Sequence, residues 1–317
     1  MGLSLKWGGV RPLLRLITDA LVLGLLLTLA YKFHYFRFFD PKRGFFCNDE
    51  SLMYPYRGDT VSPKLLFTVA LDLPVTALIL VELWRCRDRK WRWRNLRWTQ
   101  FWPLYNTLRY FLFGYGSQFL LSRMTKNTLG RLRPHFFAVC QPLLSDGGSC
   151  LDERHRAGGV YHTNYTCQPE KSNAGLDMLW AVKLSFPSGH TNIAFYGMTF
   201  MALYLQWRRG RGSATLLRPL CQLAMIMFAC VVALSRLLDY KHHCSDVVAG
   251  ALLGTGVALV AIHLAAVEER LRDGQDARQK SVPSANQESE PQDLQVCLVT
   301  AHSSDCKAVE NSKQELS

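Results

Sequence analysis

The sequence is missing several features that would each point to a different kind of protein. Its ten cysteines include no Cys-x-x-Cys pair, so no two thiols stand at the spacing of a zinc ribbon or a dithiol redox site. It carries a formal net charge of +12 but no nucleic-acid-binding motif, and it has no internal repeat. No small-residue cleavage site follows the first apolar run. Tyr31-Lys32-Phe33-His34 stand there instead, so the run reads as an anchor and not as a cleaved leader. Charge is also scarce inside the apolar stretches. Mean hydropathy is near zero, as in a soluble protein, yet the 49% of hydrophobic residues come in blocks with the charges between them.

Those blocks are what is there. A bilayer core of about 30 Å takes roughly twenty apolar residues to cross as a helix. Leu13–Tyr31, Lys64–Trp84, Leu104–Ser122, Thr191–Trp207, Pro219–Leu234 and Val247–Val267 each come close to that length. The expected fold is therefore all-α: a polytopic membrane protein with six transmembrane helices in a bundle. The basic stretches 85–98 and 208–211 go to the cytoplasmic side, with the tryptophans of the first at the interface. Six spans leave both termini in the cytoplasm. The basic excess then faces anionic lipid and not nucleic acid. The expected organisation is a cytoplasmic N-terminus at 1–12, a membrane domain at 13–270 and a polar, disordered tail at 271–317, where Cys297 and Cys306 are read as unmodified.

The intervening segments carry their own signals. Cys47, Cys140, Cys150 and Cys167 fall in segments that this topology places outside, where disulfides form, although sequence does not reveal the pairing. Asn164-Tyr165-Thr166 is an N-glycosylation acceptor in the same region. Asp72, beside Leu73-Pro74, is an ionisable group within a span and should face the bundle interior, with Pro74 kinking the helix. Gly250, Gly254 and Gly256 should let the last helix approach a neighbour closely. Arg57-Gly58-Asp59 has the form of an adhesion tripeptide, but three residues recur by chance and it is read that way.

The polar residues at the span ends carry the chemistry. Three clusters fall on the outer side: Lys126 and Arg133; Ser188, Gly189 and His190; Arg236, His242 and Asp246. Three cations and two imidazoles at one membrane face suit a phosphate group borne by something lipid-soluble. Lys126, Arg133 and Arg236 would neutralise phosphoryl oxygens, and Ser188 with the Gly189 N–H would open a helix at an anion-binding end. One histidine can attack phosphorus while the other protonates the leaving oxygen. Asp246, four residues after His242, would sit one helical turn away and hold its ring. Every required group is supplied by the protein, so neither metal nor cofactor is expected. So many cations also disfavour the competing zinc-site reading.

Lys126-x6-Arg133-Pro134, Pro187-Ser188-Gly189-His190 and Ser235-Arg236-x5-His242-x3-Asp246 together resemble the three signature motifs of the type 2 phosphatidic acid phosphatase superfamily. Lys42-Arg43-Gly44-Phe45-Phe46-Cys47, Tyr54-Pro55-Tyr56-Arg57, Gly130-Arg131-Leu132-Arg133-Pro134 and Asp239-Tyr240-Lys241-His242-His243 look like its animal lipid phosphate phosphatase branch. The resemblance covers roughly residues 10–270. It implies metal-independent hydrolysis of phosphatidate, lysophosphatidate, ceramide 1-phosphate and sphingosine 1-phosphate at an extracellular or lumenal site. It implies His242 as the nucleophile that forms a phosphohistidine, His190 as the acid that later activates water, and Asp246 as the group that orients His242. Lys126, Arg133, Ser188, Gly189 and Arg236 would bind phosphate, and His243 is left without a role. Self-association is expected, with residence in the plasma membrane or alternatively the ER and Golgi. Two further readings compete: another phosphatase or phosphotransferase of the superfamily, and a non-enzymatic adhesion or scaffold protein.

Overall fold

The computed structural model describes residues 10–35, 43–88, 98–150, 152–157, 159–172, 174–208 and 216–281. The N-terminal segment, most of the two basic loops and the tail from residue 282 lie outside them. The chain forms helix α1 (Val10–Tyr35), a short strand β1 (Phe45–Phe46), α2 (Pro63–Phe67), α3 (Leu73–Asp88) and α4 (Trp98–Leu129). Between α4 and the next long helix come α5 (Phe136–Cys140), β2 (Leu143–Leu144), α6 (Glu153–Ala157), β3 (Tyr161–His162), β4 (Tyr165–Thr166), α7 (Pro169–Ser172) and α8 (Leu176–Ala181). Then follow α9 (Gly189–Trp207), α10 (Leu217–Leu238) and α11 (Cys244–Ser281). A first compact unit runs to Glu269 and a second begins at Arg270, so the helix continues beyond the 270 boundary expected for the domain.

Among the described residues, four stretches are long and apolar enough to cross a bilayer: Leu13–Phe33, Pro63–Arg85, Leu217–Leu238 and Cys244–Gln275. Their large apolar side chains point outward, as Leu25, Leu80, Leu223 and Leu252 do, which suits contact with lipid. The two remaining expected spans, in α4 and α9, differ for a physical reason: both carry polar groups that are satisfied inside the bundle. The Asn192 amide of α9 donates to the side-chain and backbone carbonyls of Gln118 on α4. Tyr196 donates to the Phe111 carbonyl at 2.5 Å, and Asn106 donates to the Ala265 carbonyl of α11 at 2.8 Å. Helix α9 is buried along most of its length, with Tyr196, Phe200 and Tyr204 packed against Phe111, Leu78 and Ala261. Helices α2, α3, α4 and α10 pack on it, while α1 packs on α4.

Local departures from ideal helix have local causes. A π turn, Thr68–Asp72, joins α2 to α3, and the Leu73 N–H reaches back to Thr68. Pro74 lacks the N–H that the Ala70 carbonyl would otherwise receive, so the helix is interrupted where the proline was expected to kink it. Asp72 ends this turn exposed, contrary to the expectation that it faces inward. The small residues of α11 also divide. A Cβ on Gly254 would fall on the Asn192 carbonyl oxygen, and one on Gly250 would lie 2.6 Å from the Ser188 carbonyl oxygen. Gly256 faces open space and plays no part in the contact.

The connecting segments build a cap. Strand β1 pairs antiparallel with β3, and β2 with β4. Disulfides Cys47–Cys150 and Cys140–Cys167 join the same segments, so the four cysteines singled out in the sequence pair with one another. Phe45, Phe136 and Leu132 form an apolar core beneath them.

Replacing Gly254 with alanine should lower thermal stability in detergent, on the order of the 1–3 kcal/mol typical of overpacking. Gly256→Ala should be neutral or gain up to about 1 kcal/mol of helix propensity. Equal melting temperatures for the two variants would refute the α9–α11 contact described here.

Candidate active site

The ends of the helices fix the site. Helix α4 stops at Leu129 because Gly130 takes a left-handed conformation (φ 54°) and donates its N–H to the Lys126 carbonyl at 3.0 Å. That reversal sends Arg131 and Arg133 back over the bundle. Arg133 donates its backbone N–H to the Val182 carbonyl at 2.9 Å, and Ser185 donates its own to the Arg131 carbonyl at 2.8 Å. The segment leading into α9 is thereby tied to the end of α4. Ser188 caps α9 in an extended conformation and donates its N–H to the Asp246 carbonyl at 2.9 Å, which ties α9 to the start of α11.

These connections bring the predicted residues together. A cavity of about 410 Å³ is lined by Lys126, Arg133, Gly189, His190, Arg236 and His242. Ser188 and Asp246 are fully buried and do not line it; they stand behind the wall. Five further residues of the lining are ones that sequence reasoning left unassigned: Tyr56, Arg123, His135, Asp177 and Lys241. Asp59 also faces the cavity. Two of the six, Tyr56 and Lys241, lie in stretches that carry the family resemblance, but nothing in the sequence marks them as facing phosphate.

His242 is not on a helix with Asp246. It lies in the turn between α10 and α11, just ahead of the helix start at Cys244. Its Nδ1 is 3.7 Å from Asp246 Oδ2, beyond a direct hydrogen bond, and 3.4 Å from Ser185 Oγ. Ser185 donates to the same carboxylate oxygen at 2.5 Å and so bridges the two. With Nδ1 turned toward this pair, the Nε2 edge of the ring is the one left for the cavity. Asp246 also accepts from Arg131 Nη1 at 2.6 Å and from the His243 backbone N–H at 3.0 Å. The last contact is the reciprocal half of a capping box, in which a carboxylate at the third helical position satisfies the N–H of the cap residue. It gives His243, to which the sequence assigned no role, a structural one. Arg131 and Ser185 sit inside or beside quoted motifs, but their service to Asp246 was not apparent from spacing.

The cations are held in different ways. Lys126 Nζ is buried and donates to the Leu184 carbonyl at 3.0 Å. Arg236 spends Nε on Ser235 Oγ and Nη2 on Asp239, Ser235 and the Val61 carbonyl, while Nη1 meets Asp59 at 2.8 Å. Arg133 keeps a buried Nε with no hydrogen-bond partner, as does His190 at Nε2. Burial lowers the affinity of these groups for a proton, with neighbouring cations adding to it at Lys126 and His190 and the carboxylates of Asp59 and Asp246 opposing it at Arg133. Lys126 lies well below its ordinary value, Arg133 falls to about 10, and His190 falls to about 4. His242 is also pushed down, first by burial, with Asp246 opposing. A phosphate dianion in the cavity would reverse the electrostatic part of every one of these shifts.

The turn that presents His242 is braced from outside. Tyr240 adopts a left-handed conformation (φ 52°), which costs a non-glycine residue roughly 1–3 kcal/mol. Tyr54 stacks on its ring at 4.6 Å, Arg57 covers it at 4.7 Å, and its carbonyl accepts from His135 Nδ1 at 2.7 Å. Arg57-Gly58-Asp59 is therefore folded against the α10–α11 turn and does not project as an adhesive loop.

A membrane-type helical bundle with a cationic cavity lined by three imidazoles defines a class of phosphate-handling membrane proteins. Comparison with known proteins narrows it. The PAP2 superfamily description matches residues 107–270. A Drosophila melanogaster protein named "Putative phosphatidate phosphatase" is 40% identical over 232 residues, which are 69% of this chain and 60% of that protein. Phospholipid phosphatase 1 of Mus musculus is 37% identical over 227 residues, 70% of this chain and 75% of the relative. Phospholipid phosphatase 2 of the same species is 35% identical over 243 residues, 76% and 83% of the two chains. No solved structure matches the chain. The chain belongs to the PAP2 superfamily, and its class is that of the membrane phosphatases, hydrolases of lipid metabolism.

His135, which burial likewise pushes down to about 4, and His190 should make the fold acid-sensitive. A base whose folded value lies below its unfolded value of about 6.5 takes up its proton first in the unfolded chain, so stability falls as pH drops from 6.5 toward 4. Melting temperature measured across that window should fall less steeply in His135→Gln than in the wild type. Identical slopes would show that His135 does not contribute.

Proposed function

We propose that the chain hydrolyses lipid phosphate monoesters, taking phosphatidate, lysophosphatidate, ceramide 1-phosphate and sphingosine 1-phosphate, through a phosphohistidine on His242. The observation that carries this reading is the meeting of Lys126, Arg133, Arg236, His190 and His242 on one cavity, with Asp246 buried behind His242. The phosphoryl oxygens bind between Lys126, Arg133, Arg236 and the Gly189 N–H at the first turn of α9, which Ser188 supports from behind. The lone pair on His242 Nε2 attacks phosphorus, and the bond to the lipid oxygen breaks. His190 gives its proton to that oxygen as the alcohol leaves. It then takes a proton from water, whose oxygen attacks the phosphohistidine, releasing inorganic phosphate and restoring His242. Asp246 steadies the positive charge that His242 acquires in the first step. The incoming phosphate dianion favours the imidazolium form of His190 and so supplies the protonated acid the first step needs.

The same reading places six spans in the membrane, with both termini cytoplasmic and the cavity at the extracellular or lumenal face. Two features support that side. The disulfides need an oxidising compartment, and Asn164 is exposed between β3 and β4, open to glycosylation. Plasma membrane residence, with the ER and Golgi as alternatives, and self-association go with it.

Wild-type protein in mixed micelles should release phosphate from these lipids in the presence of EDTA. His242→Ala should lose about three orders of magnitude or more while remaining in the membrane fraction, and His190→Ala about 10²–10⁴-fold. Undiminished release by His242→Ala, or strict dependence on Mg²⁺, would overturn the mechanism.

A further inference from the structure

Two carboxylates, Asp59 and Asp177, line the cavity and have no place in the chemistry above, and Asp59 is ion-paired to one of its phosphate-binding cations. Asp59 lines the cavity beside Arg133, His190, Arg236 and His242. Its Oδ1 lies 2.8 Å from Arg236 Nη1 and 4.0 Å from Lys241 Nζ. Nη1 is the one nitrogen of Arg236 whose partner faces the cavity. Nε and Nη2 are committed to Ser235, Asp239 and the Val61 carbonyl, none of which lines the cavity. The group on which a phosphate oxygen would settle is therefore already held by a carboxylate oxygen.

The surroundings of Asp59 leave its side chain free to give way. The loop is fastened by its neighbours. Thr60 donates its N–H and hydroxyl to Asp239 at 2.9 and 2.6 Å, and Arg57 donates to the Leu238 carbonyl at 3.3 Å. The Asp59 carboxylate is about a third exposed, and its described partners are those two cations. A rotation of its side chain would free Nη1 without disturbing the backbone on either side.

We infer that Asp59 is a displaceable counter-ion for Arg236: it holds the guanidinium between turnovers, yields Nη1 to the substrate phosphate, and competes for it again as inorganic phosphate leaves. The inference rests on the phosphatase reading, since it concerns the departure of that reaction's product. A carboxylate a few ångströms from the bound dianion disfavours it electrostatically, so its effect falls on the release of product and not on bond cleavage. A residue that merely fixed Arg236 in place would act in the opposite direction, because its loss would weaken phosphate binding.

The sign of the effect is therefore the test. Asp59→Asn keeps the shape and removes the charge, and Asp59→Ser removes both. Inhibition by inorganic phosphate should tighten about tenfold in either variant, with kcat reduced and KM lowered together. Unchanged or weaker inhibition in a variant that still hydrolyses lipid phosphate would overturn the inference, as would failure of both variants to fold. Titration of inorganic phosphate into His242→Ala, with and without Asp59→Asn, reads the same competition without turnover. If the wild type releases no phosphate from any lipid phosphate, the phosphatase reading fails by itself. Tighter phosphate binding in Asp59→Asn would then still support the counter-ion role.

Discussion

The arrangement depends on one buried carboxylate. Asp246 is fully enclosed, and a charge in that position is tolerated only when it is paired and hydrogen-bonded. Its donors come from separate stretches of chain: Arg131 just after α4, Ser185 just before α9, and the His243 N–H at the head of α11. The backbone of the same residue receives the Ser188 N–H that starts α9. Each partner lies within or beside one of the polar clusters that bear phosphate-binding and catalytic groups. The desolvation cost of a single carboxylate is thus met only when all three clusters are in register. That couples the folding of the site to its geometry.

His242 benefits from this without touching Asp246 directly. Ser185 lies between, within 3.4 Å of the ring and 2.5 Å from the carboxylate. The hydroxyl can turn to follow the tautomer, so the ring is oriented by a group that itself cannot drift. The strained Tyr240 just ahead is held by stacking, by Arg57 and by His135, and so the turn resists relaxing away from the cavity. Preorganisation of this kind matters because fixed charges and dipoles need not rearrange when charge develops on the phosphoryl group.

What could be read from the sequence follows from which interactions are local. Each apolar block coincides with a helical segment among the described residues, since each answers to its own composition and length, and four of these are long and apolar enough to cross a bilayer. The signature residues Lys126, Arg133, Gly189, His190, Arg236 and His242 were legible as well, and they meet on one cavity. The partners were not legible. Arg131 is one basic residue among several in its segment, and its pairing with Asp246 spans 115 positions. Asp59 read as part of a chance tripeptide, because nothing nearby in sequence shows that Arg236 lies opposite. The disulfide pairing waited on the strands: Phe45 beside His162 and Leu144 beside Tyr165 bring the correct cysteines within reach. Helix α4 and helix α9 were read as spans by apolar content, although their polar residues are complemented only through tertiary contacts, with each other and with α1, α3 and α11.

The two ends of the bundle explain why some arginines here are structural and others face phosphate. At the end away from the cavity, Arg208 lies between Glu82 and Glu269, and Arg109 between Asp19 and Glu268. Each guanidinium there has two carboxylates, so the groups are neutralised in place and knit α1, α3, α4, α9 and α11 together. At the cavity end the balance is reversed. Lys126 is held by backbone carbonyls, which orient a cation without cancelling it, and Arg133 retains an unpartnered Nε. Arg236 has Asp239 behind it and Asp59 in front. The same residue type therefore serves two ends of one bundle, and the place of its carboxylate partners relative to the cavity separates the roles. Where both carboxylate partners lie away from the cavity, as around Arg109 and Arg208, the arginine stabilises. Where one of the two partners, partly exposed, lines a cavity of excess positive charge, as Asp59 does for Arg236, the arginine can trade it for a phosphate.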